Sequence, residues 1–357
     1  MEDVSLANAE RAAPDAVIAY SRNVRARFVA LAVLALLATA ALLLDVVTGP
    51  SSMSAAAVVK GVFDPSSLST AQQAIVWQVR LPYALMATLV GAALALAGAE
   101  MQTVLNNPLA SPFTLGVSSA ASFGASLAIV LGFGASFIGS DWLVPLNAFV
   151  FAFGSVLALQ ALARMKGSGV ENIVLFGIAL VFAFNALTAL VQFLSSAEAL
   201  QQLVFWTMGS LSRATWGNVG ALALVVALVT PFSLLSSRGL TALRLGEDRA
   251  MSFGVDAKRL RFLSLLRVSL LSATAVAFVG AIGFIGLVGP HIARLLVGED
   301  HRFFLPASIL SGAIIMSLAS AASKAIVPGV LMPVGIVTAV IGVPVFLLLI
   351  FRNGGRA

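Results

Sequence analysis

The chain has 357 residues, of which 60% are hydrophobic and only 10% are charged, and its mean hydropathy is +1.02. Roughly a quarter of the residues in a soluble domain are charged, so this composition excludes a soluble protein and leaves no room for a sizeable soluble domain. The net charge of +6 does not point to nucleic acid, because basic residues in membrane proteins mark cytoplasmic loops. We therefore predict an all-α, polytopic membrane protein.

Ten apolar stretches fit bilayer crossings, which need roughly 20 residues, or fewer where a helix is short or buried; the eighth is short and interrupted by glycine and proline. They cover residues 28–47, 82–105, 114–133, 142–165, 171–195, 216–236, 260–281, 284–297, 303–322 and 334–351. They define a transmembrane domain at 28–351, between a polar tail at 1–27 and a short tail at 352–357. No convincing small-residue cleavage site follows the first stretch, so we interpret it as a retained helix and not as a signal peptide.

The positions of lysine and arginine test this topology independently. If the N-terminus is cytoplasmic and the crossings alternate, 17 of the 21 basic residues fall inside and 4 fall outside. The external ones are Lys60, Arg80, Arg213 and Lys324. This positive-inside bias supports an even number of crossings with both termini cytoplasmic.

The second crossing lies between two polar motifs, Arg80-Leu-Pro-Tyr83 and Asn106-Asn-Pro-Leu-Ala-Ser-Pro112. Gly91 and Gly98 recur at helical spacing and lead to Gln102, which predicts a helix that packs closely against its neighbours.

Glu100 lies near the inner end of the same helix. An ionisable residue within a membrane helix is by default a functional candidate. The interpretation that we prefer is that Glu100 is close enough to the interface to reach water or a cytoplasmic arginine.

The stretch Leu243-Arg-Leu-Gly-Glu-Asp-Arg-Ala-Met-Ser-Phe-Gly254 is amphipathic, and it is too short and too charged to span a bilayer. Gly246 and Gly254 can bend or end short helices. We predict short cytoplasmic helices at 241–254, which either lie in the membrane interface or dock onto a partner.

A glycine-rich stretch at 280–302 follows the seventh crossing. Glycine recurs at every third position from Gly280 to Gly289, and Pro290 follows, so we predict a broken helix. The polar residues after it must face water: they are Arg294, Glu299, Asp300, His301 and Arg302.

Two further motifs lie on the outer side. Trp206-Thr-Met-Gly-Ser-Leu211 contains a tryptophan that we interpret as an interface anchor. The last crossing begins at Pro333-Val-Gly-Ile-Val-Thr338 and continues through Gly342-Val-Pro344.

From about Arg80 to the C-terminus, these motifs resemble those of the FecCD family, the permease subunits of bacterial ABC importers for ferric siderophores, haem and cobalamin. Residues 280–302 resemble its GFIGLxxPHxxR signature, 80–116 its RLPR…NPLAxPxxLG pattern, and 243–254 its coupling helices. The chain departs from the family pattern at five positions. They are Tyr83 and Lys324 in place of arginines, Ser320 in place of an aspartate, Leu331 in place of an acidic residue, and Glu100 in place of a small or apolar residue.

The resemblance implies a type II ABC importer permease fold with about ten transmembrane helices, in the bacterial inner membrane. It also implies four kinds of partner: a second copy of the chain, two cytoplasmic ATP-binding subunits, a periplasmic substrate-binding protein and membrane lipid. Nucleic acid is not among them. The implied functional residues are Arg244, Leu245, Gly246, Glu247, Arg249, Ala250 and Gly254 for ATPase coupling; Arg80 and Lys324 for binding-protein docking; Val170, Glu171, Asn107 and Pro108 for the pathway and its gate; and Gly286, Pro290, His291, Arg294, Pro333 and Gly335 for structure.

Patterns for catalysis and for metal binding are missing from the sequence. There is no GxxxxGK[ST] phosphate loop, so we expect no ATP hydrolysis by this chain and no cofactor. Of the two histidines, we interpret His291 as a structural hydrogen-bonding residue and His301 as a cytoplasmic loop residue. No paired histidines or clustered carboxylates indicate a metal site, and the absence of cysteine excludes thiolate chemistry.

Two hypotheses of different classes follow. The leading one is a non-enzymatic permease subunit that translocates an iron complex by alternating access. We favour a ferric siderophore, with haem and cobalamin as alternatives. The rival is a secondary transporter driven by an ion gradient. It would need several membrane-embedded acids, and only Glu100 qualifies.

Overall fold

The computed structural model describes residues 2–49, 51, 53–165, 170–327 and 329–353. Over these residues the chain is mainly helical and contains no β-strand. Seven of the described helices are long and apolar enough to cross a membrane, and three shorter apolar helices bring the total to ten. The predicted all-α fold with about ten apolar helices is confirmed, and the short eighth stretch is helical.

We number the helices along the chain. They are α1 (Glu2–Val47), α2 (Ala55–Phe63), α3 (Thr70–Ala74), α4 (Leu81–Val104), α5 (Val117–Leu131), α6 (Ser140–Met165), α7 (Val170–Phe193), α8 (Ala197–Thr207), α9 (Trp216–Leu235), α10 (Ser237–Leu243), α11 (Glu247–Ser252), α12 (Ala257–Val279), α13 (Ile285–Val297), α14 (His301–Ala325) and α15 (Val334–Asn353).

Helix α4 is the centre of the bundle, and every one of its residues from Val90 to Val104 is buried. A Cβ atom at Gly91 would overlap with the carbonyl oxygen of Gly312 in α14, and one at Gly98 would overlap with that of Gly286 in α13. The glycines therefore let the three backbones touch, as the spacing predicted.

The polar contacts at the two ends of the bundle define the helix directions. Helices α1 and α14 run parallel, because Arg27 pairs with Asp300 at one end while Asp45 pairs with Lys324 at the other. Helix α4 runs antiparallel to α14, with Thr88 hydrogen-bonded to Ser317. These directions agree with alternating crossings.

The segments outside the crossings are also ordered. Helix α1 continues without a break from Glu2, so the predicted polar tail is helical. Residues 55–80 form short helices that close over the outer end of α1, where Val46, Val58 and Val76 share one apolar cluster. Residues 166–169, before α7, and residues 354–357 of the C-terminal tail lie outside the described residues.

Candidate functional site

The predicted amphipathic stretch forms two short helices, α10 and α11, joined by a tight turn. Gly246 in that turn has φ +105° and ψ 154°, a conformation that only glycine adopts readily. Gly254, at φ +78°, ends α11. Asp256 then accepts a hydrogen bond from the amide of Arg259 and begins α12. We call residues 237–254 the coupling hairpin.

One face of the coupling hairpin is buried and the other is exposed. Ala250 is fully buried against the bundle, whereas Leu245, Met251 and Phe253 are 53%, 54% and 69% exposed. Three large apolar side chains are thus exposed among charged residues at one end of the bundle. Such a surface fits either a protein contact or the membrane interface.

Glu299, in the turn between α13 and α14, connects the coupling hairpin to the bundle. Its carboxylate lies 2.5 Å from the Arg244 guanidinium and 3.2 Å from that of Arg294. Partial burial alone would raise the pKa of the Glu299 carboxyl, but hydrogen bonding to Arg244 and the charges of Arg244 and Arg294 lower it below its ordinary value. The residue is therefore ionised at neutral pH and bridges two predicted motifs.

The network continues from Arg294 into the central helix. Arg294 donates to the side-chain oxygen of Gln102 at 3.0 Å, and Gln102 donates to the carbonyl oxygen of Gly286 at 3.2 Å. Arg244 also donates to Asn106 at 3.3 Å. Three motifs that are far apart in sequence therefore meet at one end of the bundle.

Arg261 anchors the second half of the coupling hairpin. Its guanidinium pairs with Glu247 at 3.0 Å and also donates to the carbonyl oxygen of Val104, at the end of α4, at 3.2 Å. The first residue of α11 is thus tied to both α12 and α4.

The structure corrects the prediction for His301. This residue is buried and not a loop residue, because it begins α14 and its ring lies between Thr103 of α4 and Thr241 of α10. The sequence offered no signal for this, because nothing in it pairs His301 with either threonine.

Glu100 is fully buried and forms a two-pronged ion pair with Arg267 of α12, the shortest contact being 2.6 Å. Arg267 also donates to the hydroxyl of Ser264 at 2.9 Å. The preferred interpretation, that Glu100 reaches an arginine, agrees with this geometry, although the partner lies inside the bundle.

Arg80 and Lys324, the two residues implied for binding-protein docking, are buried at the C-terminal end of α1, and their docking role stays a prediction. Arg80 donates to the carbonyl oxygens of Val46 and Val47, and Lys324 pairs with Asp45 at 2.7 Å. Cations suit a helix C-terminus because its last carbonyl groups lack partners within the helix. Within the described chain, both side chains therefore have structural partners.

Asp45 is a second membrane-embedded acid that the sequence analysis missed, so the prediction that only Glu100 qualifies was wrong. Its carboxylate also accepts hydrogen bonds from Ser320, at 2.7 and 2.8 Å. The signal was available: one aspartate near the end of an apolar run, and a lysine without its usual acid on α14.

Trp206 was predicted to be an interface anchor, but it is 1% exposed and packs inside the bundle. The turn after it packs closely against the other outer motifs. Ser210 donates its amide to Val279, and Gly335 donates to the carbonyl oxygen of Gly209 at 3.1 Å. The backbone of Gly335 therefore lies directly against that of Gly209, as expected for a residue with a structural role.

The predicted gate residues lie in two places. Val170 and Glu171 begin α7, and Asn107 and Pro108 are exposed in the turn after α4. Their part in a constriction stays a prediction. His291 is half-buried in α13, directly after Pro290. No cluster of three or more metal-ligating side chains occurs among the residues that the structure describes.

Residues 35–352 match the FecCD transport family. The chain is 35% identical to the hemin transport system permease protein of Yersinia pestis, over 78% of this chain and 84% of that protein. It is 38% identical to the vitamin B12 import system permease protein of Klebsiella pneumoniae, over 81% and 86% of the two chains.

A solved structure, described as an inward-facing metal-chelate type ABC transporter, has the same fold. Its TM-score is 0.79 at 31% identity, and the match covers 91% of this chain and 99% of that chain. The similarity to ABC permeases therefore extends over nearly the whole chain in both sequence and structure.

Proposed function

Because the chain belongs to the FecCD transport family, we propose that two copies of it form the membrane pathway of an ATP-driven importer of the cytoplasmic membrane. Two ATP-binding subunits bind below, one at each coupling hairpin, and one substrate-binding protein docks outside. The chain itself does no covalent chemistry. It opens the pathway alternately to each side as the ATPases close and separate.

The observation that carries this proposal is the coupling hairpin. Its outer face presents Leu245, Met251 and Phe253 for a partner to bury. Its inner face is joined to α4, α12 and α13 through Arg244, Glu299 and Arg261. A force applied to the hairpin by an ATPase would therefore reach the central helix of the bundle.

The rival hypothesis, a secondary transporter, receives less support. It needs embedded carboxylates that can gain and lose a proton or a cation. Asp45 and Glu100 are embedded, but each already faces a buried cation, Lys324 or Arg267. Because each acid is paired with a cation, it holds two helices together and is not free to bind a transported ion.

The substrate is a large chelate of the kind that the family carries, and we favour a ferric siderophore. Haem and cobalamin remain alternatives, because two relatives are named for hemin and vitamin B12 transport. The metal ion in each case is part of the transported substrate. Mass spectrometry of the complex held by the cognate binding protein would decide among the three, and a cobalamin or haem in that protein would overturn the siderophore assignment.

The coupling proposal is tested by co-purification with the ATPase subunit. Met251→Glu together with Phe253→Glu should abolish association, because charged groups would have to be buried in the contact. Lys60→Glu, a surface change in the external segment, serves as the control and should leave association unchanged. Full association of the hairpin variant would remove this surface from the mechanism.

A further inference from the structure

His301 lies where three elements meet. It is 1% exposed, and its Nε2 atom is 2.7 Å from the hydroxyl of Thr103 in α4. On the other side of the ring, Nδ1 is 3.1 Å from the hydroxyl of Thr241 in α10. The same hydroxyl oxygen accepts a hydrogen bond from the backbone amide of His301. One side chain thus joins the coupling hairpin to the central helix through the start of α14.

Both threonine hydroxyls also lie near a carbonyl oxygen of their own helix: Thr103 is 2.8 Å from Ala99, and Thr241 is 2.9 Å from Ser237. A neutral imidazole carries a hydrogen on one nitrogen and accepts on the other. Either tautomer can therefore bond to both threonines, because the threonine that receives the ring hydrogen can donate its own hydrogen to its helix carbonyl, while the other donates to the ring.

The surrounding connections are more exposed to water. The Arg244 and Glu299 side chains are 21% and 45% exposed, so water can replace either partner when the hairpin moves. Water has little access to His301. An unmade hydrogen bond at this buried site is unfavourable, so the contact resists separation of α10 from α4.

We propose that His301 is a positioning residue that carries the movement of the coupling hairpin to α4, and so makes ATP hydrolysis respond to the binding protein. This inference rests on the proposed function as an ABC permease. It assigns to His301, near the end of the 280–302 stretch, a role in communication between the hairpin and α4.

The test uses the full complex of permease, ATPase and binding protein in nanodiscs. The quantity measured is the ratio of ATP hydrolysis with binding protein to hydrolysis without it. His301→Ala should lower this ratio by about fivefold or more, the usual lower range of a coupling between sites, while the complex still assembles and its basal hydrolysis persists. His301→Gln, whose amide can both donate and accept a hydrogen bond, should restore part of the ratio.

Thr188→Val is the matched control, because Thr188 is also buried but hydrogen-bonds to its own helix, at Phe184. It should leave the ratio unchanged. An unchanged ratio in an assembled His301→Ala complex would overturn the inference. A wild-type complex without any stimulation would instead overturn the proposed function, so the two failures are distinguishable.

If His301→Ala does not assemble, Thr103→Val and Thr241→Val decide the question. Each should lower the ratio, and the double variant should lower it no further than the stronger single variant, because both remove one end of the same connection. Independent, additive losses or no loss would overturn the inference.

Discussion

Asp45, Ser320 and Lys324 form a buried polar group whose acid comes from α1. The family resemblance places an aspartate at position 320 and an arginine at 324, on one helix. Here Ser320 and Lys324 occupy those positions, and Asp45 supplies the carboxylate from a helix 275 residues away in sequence. The ion pair therefore fastens the first crossing to α14.

Removing one partner of this pair should be strongly destabilising. Asp45→Asn leaves a buried ammonium without its counter-charge, and we expect a loss of about 3–5 kcal/mol, measured as reduced thermal stability in detergent. Asp45→Ser combined with Ser320→Asp moves the acid back to α14, one helical turn from Lys324, and should recover most of the loss. If the double variant is no more stable than Asp45→Asn, the carboxylate of Asp45 does not replace the acid that the family carries at position 320.

Charge reversal at the two buried cations, Arg80 and Lys324, should destabilise the fold. Arg80→Glu with Lys324→Glu should sharply lower the yield of folded protein, because each glutamate would face carbonyl oxygens or the carboxylate of Asp45. Size-exclusion profiles of the membrane extract measure this yield. If the variant folds well and only its affinity for the binding protein, measured at low salt, is lost, the structural prediction is contradicted. The docking role implied by the family resemblance would then be supported.

At the scale of elements, the close packing of α4 determines how the helices are arranged, and the turn at Gly246 determines the shape of the coupling hairpin. The glycine spacing predicted the close packing correctly, because small residues at helical intervals can be recognised within a single helix. Charge and length also predicted the end of the hairpin, but its first helix begins at Ser237 and not at 241. The partners of Arg80 and His301 were not predictable, because distant elements contribute them. Only the pairing of Lys324 left a signal, in Asp45 near the end of the first apolar stretch.

Gly98→Ala tests the packing of α4. Its Cβ atom would overlap with the carbonyl oxygen of Gly286, which backbone movement alone can relieve, so we expect a loss of about 1–3 kcal/mol in stability. Gly220→Ala in α9 is the matched control, because nothing lies within 4 Å of its added Cβ. Equal melting temperatures for the two variants would contradict the close approach of α4 to α13 at Gly98.

Gly246→Ala tests the turn of the coupling hairpin. Nothing lies within 4 Å of a Cβ atom there, but the backbone conformation is unfavourable for any residue with a side chain, by about 1–3 kcal/mol. Even alanine should therefore impair transport and ATPase association while insertion is retained, and Gly246→Trp should do little more. Normal transport by Gly246→Trp would exclude the turn from the mechanism.

For the whole molecule, the alternating directions of the helices were predictable from the basic residues. Reporters should measure the absolute orientation: a fusion at Lys258 or after Arg352 should be cytoplasmic, and one near Lys60 periplasmic. Lys60 and Lys258 lie at opposite ends of the bundle, because Lys60 is in the segment that covers the outer end of α1 and Lys258 begins α12. A periplasmic signal at Lys258 would contradict the proposed orientation.

The central claim is that ATP drives import through this chain. The most direct measurement is uptake of the chelate held by the cognate binding protein into proteoliposomes that contain the permease and its ATPase. We predict accumulation only when ATP and the binding protein are both present, with no change when ionophores collapse the proton and sodium gradients. Uptake that follows an imposed ion gradient without ATP would contradict the account.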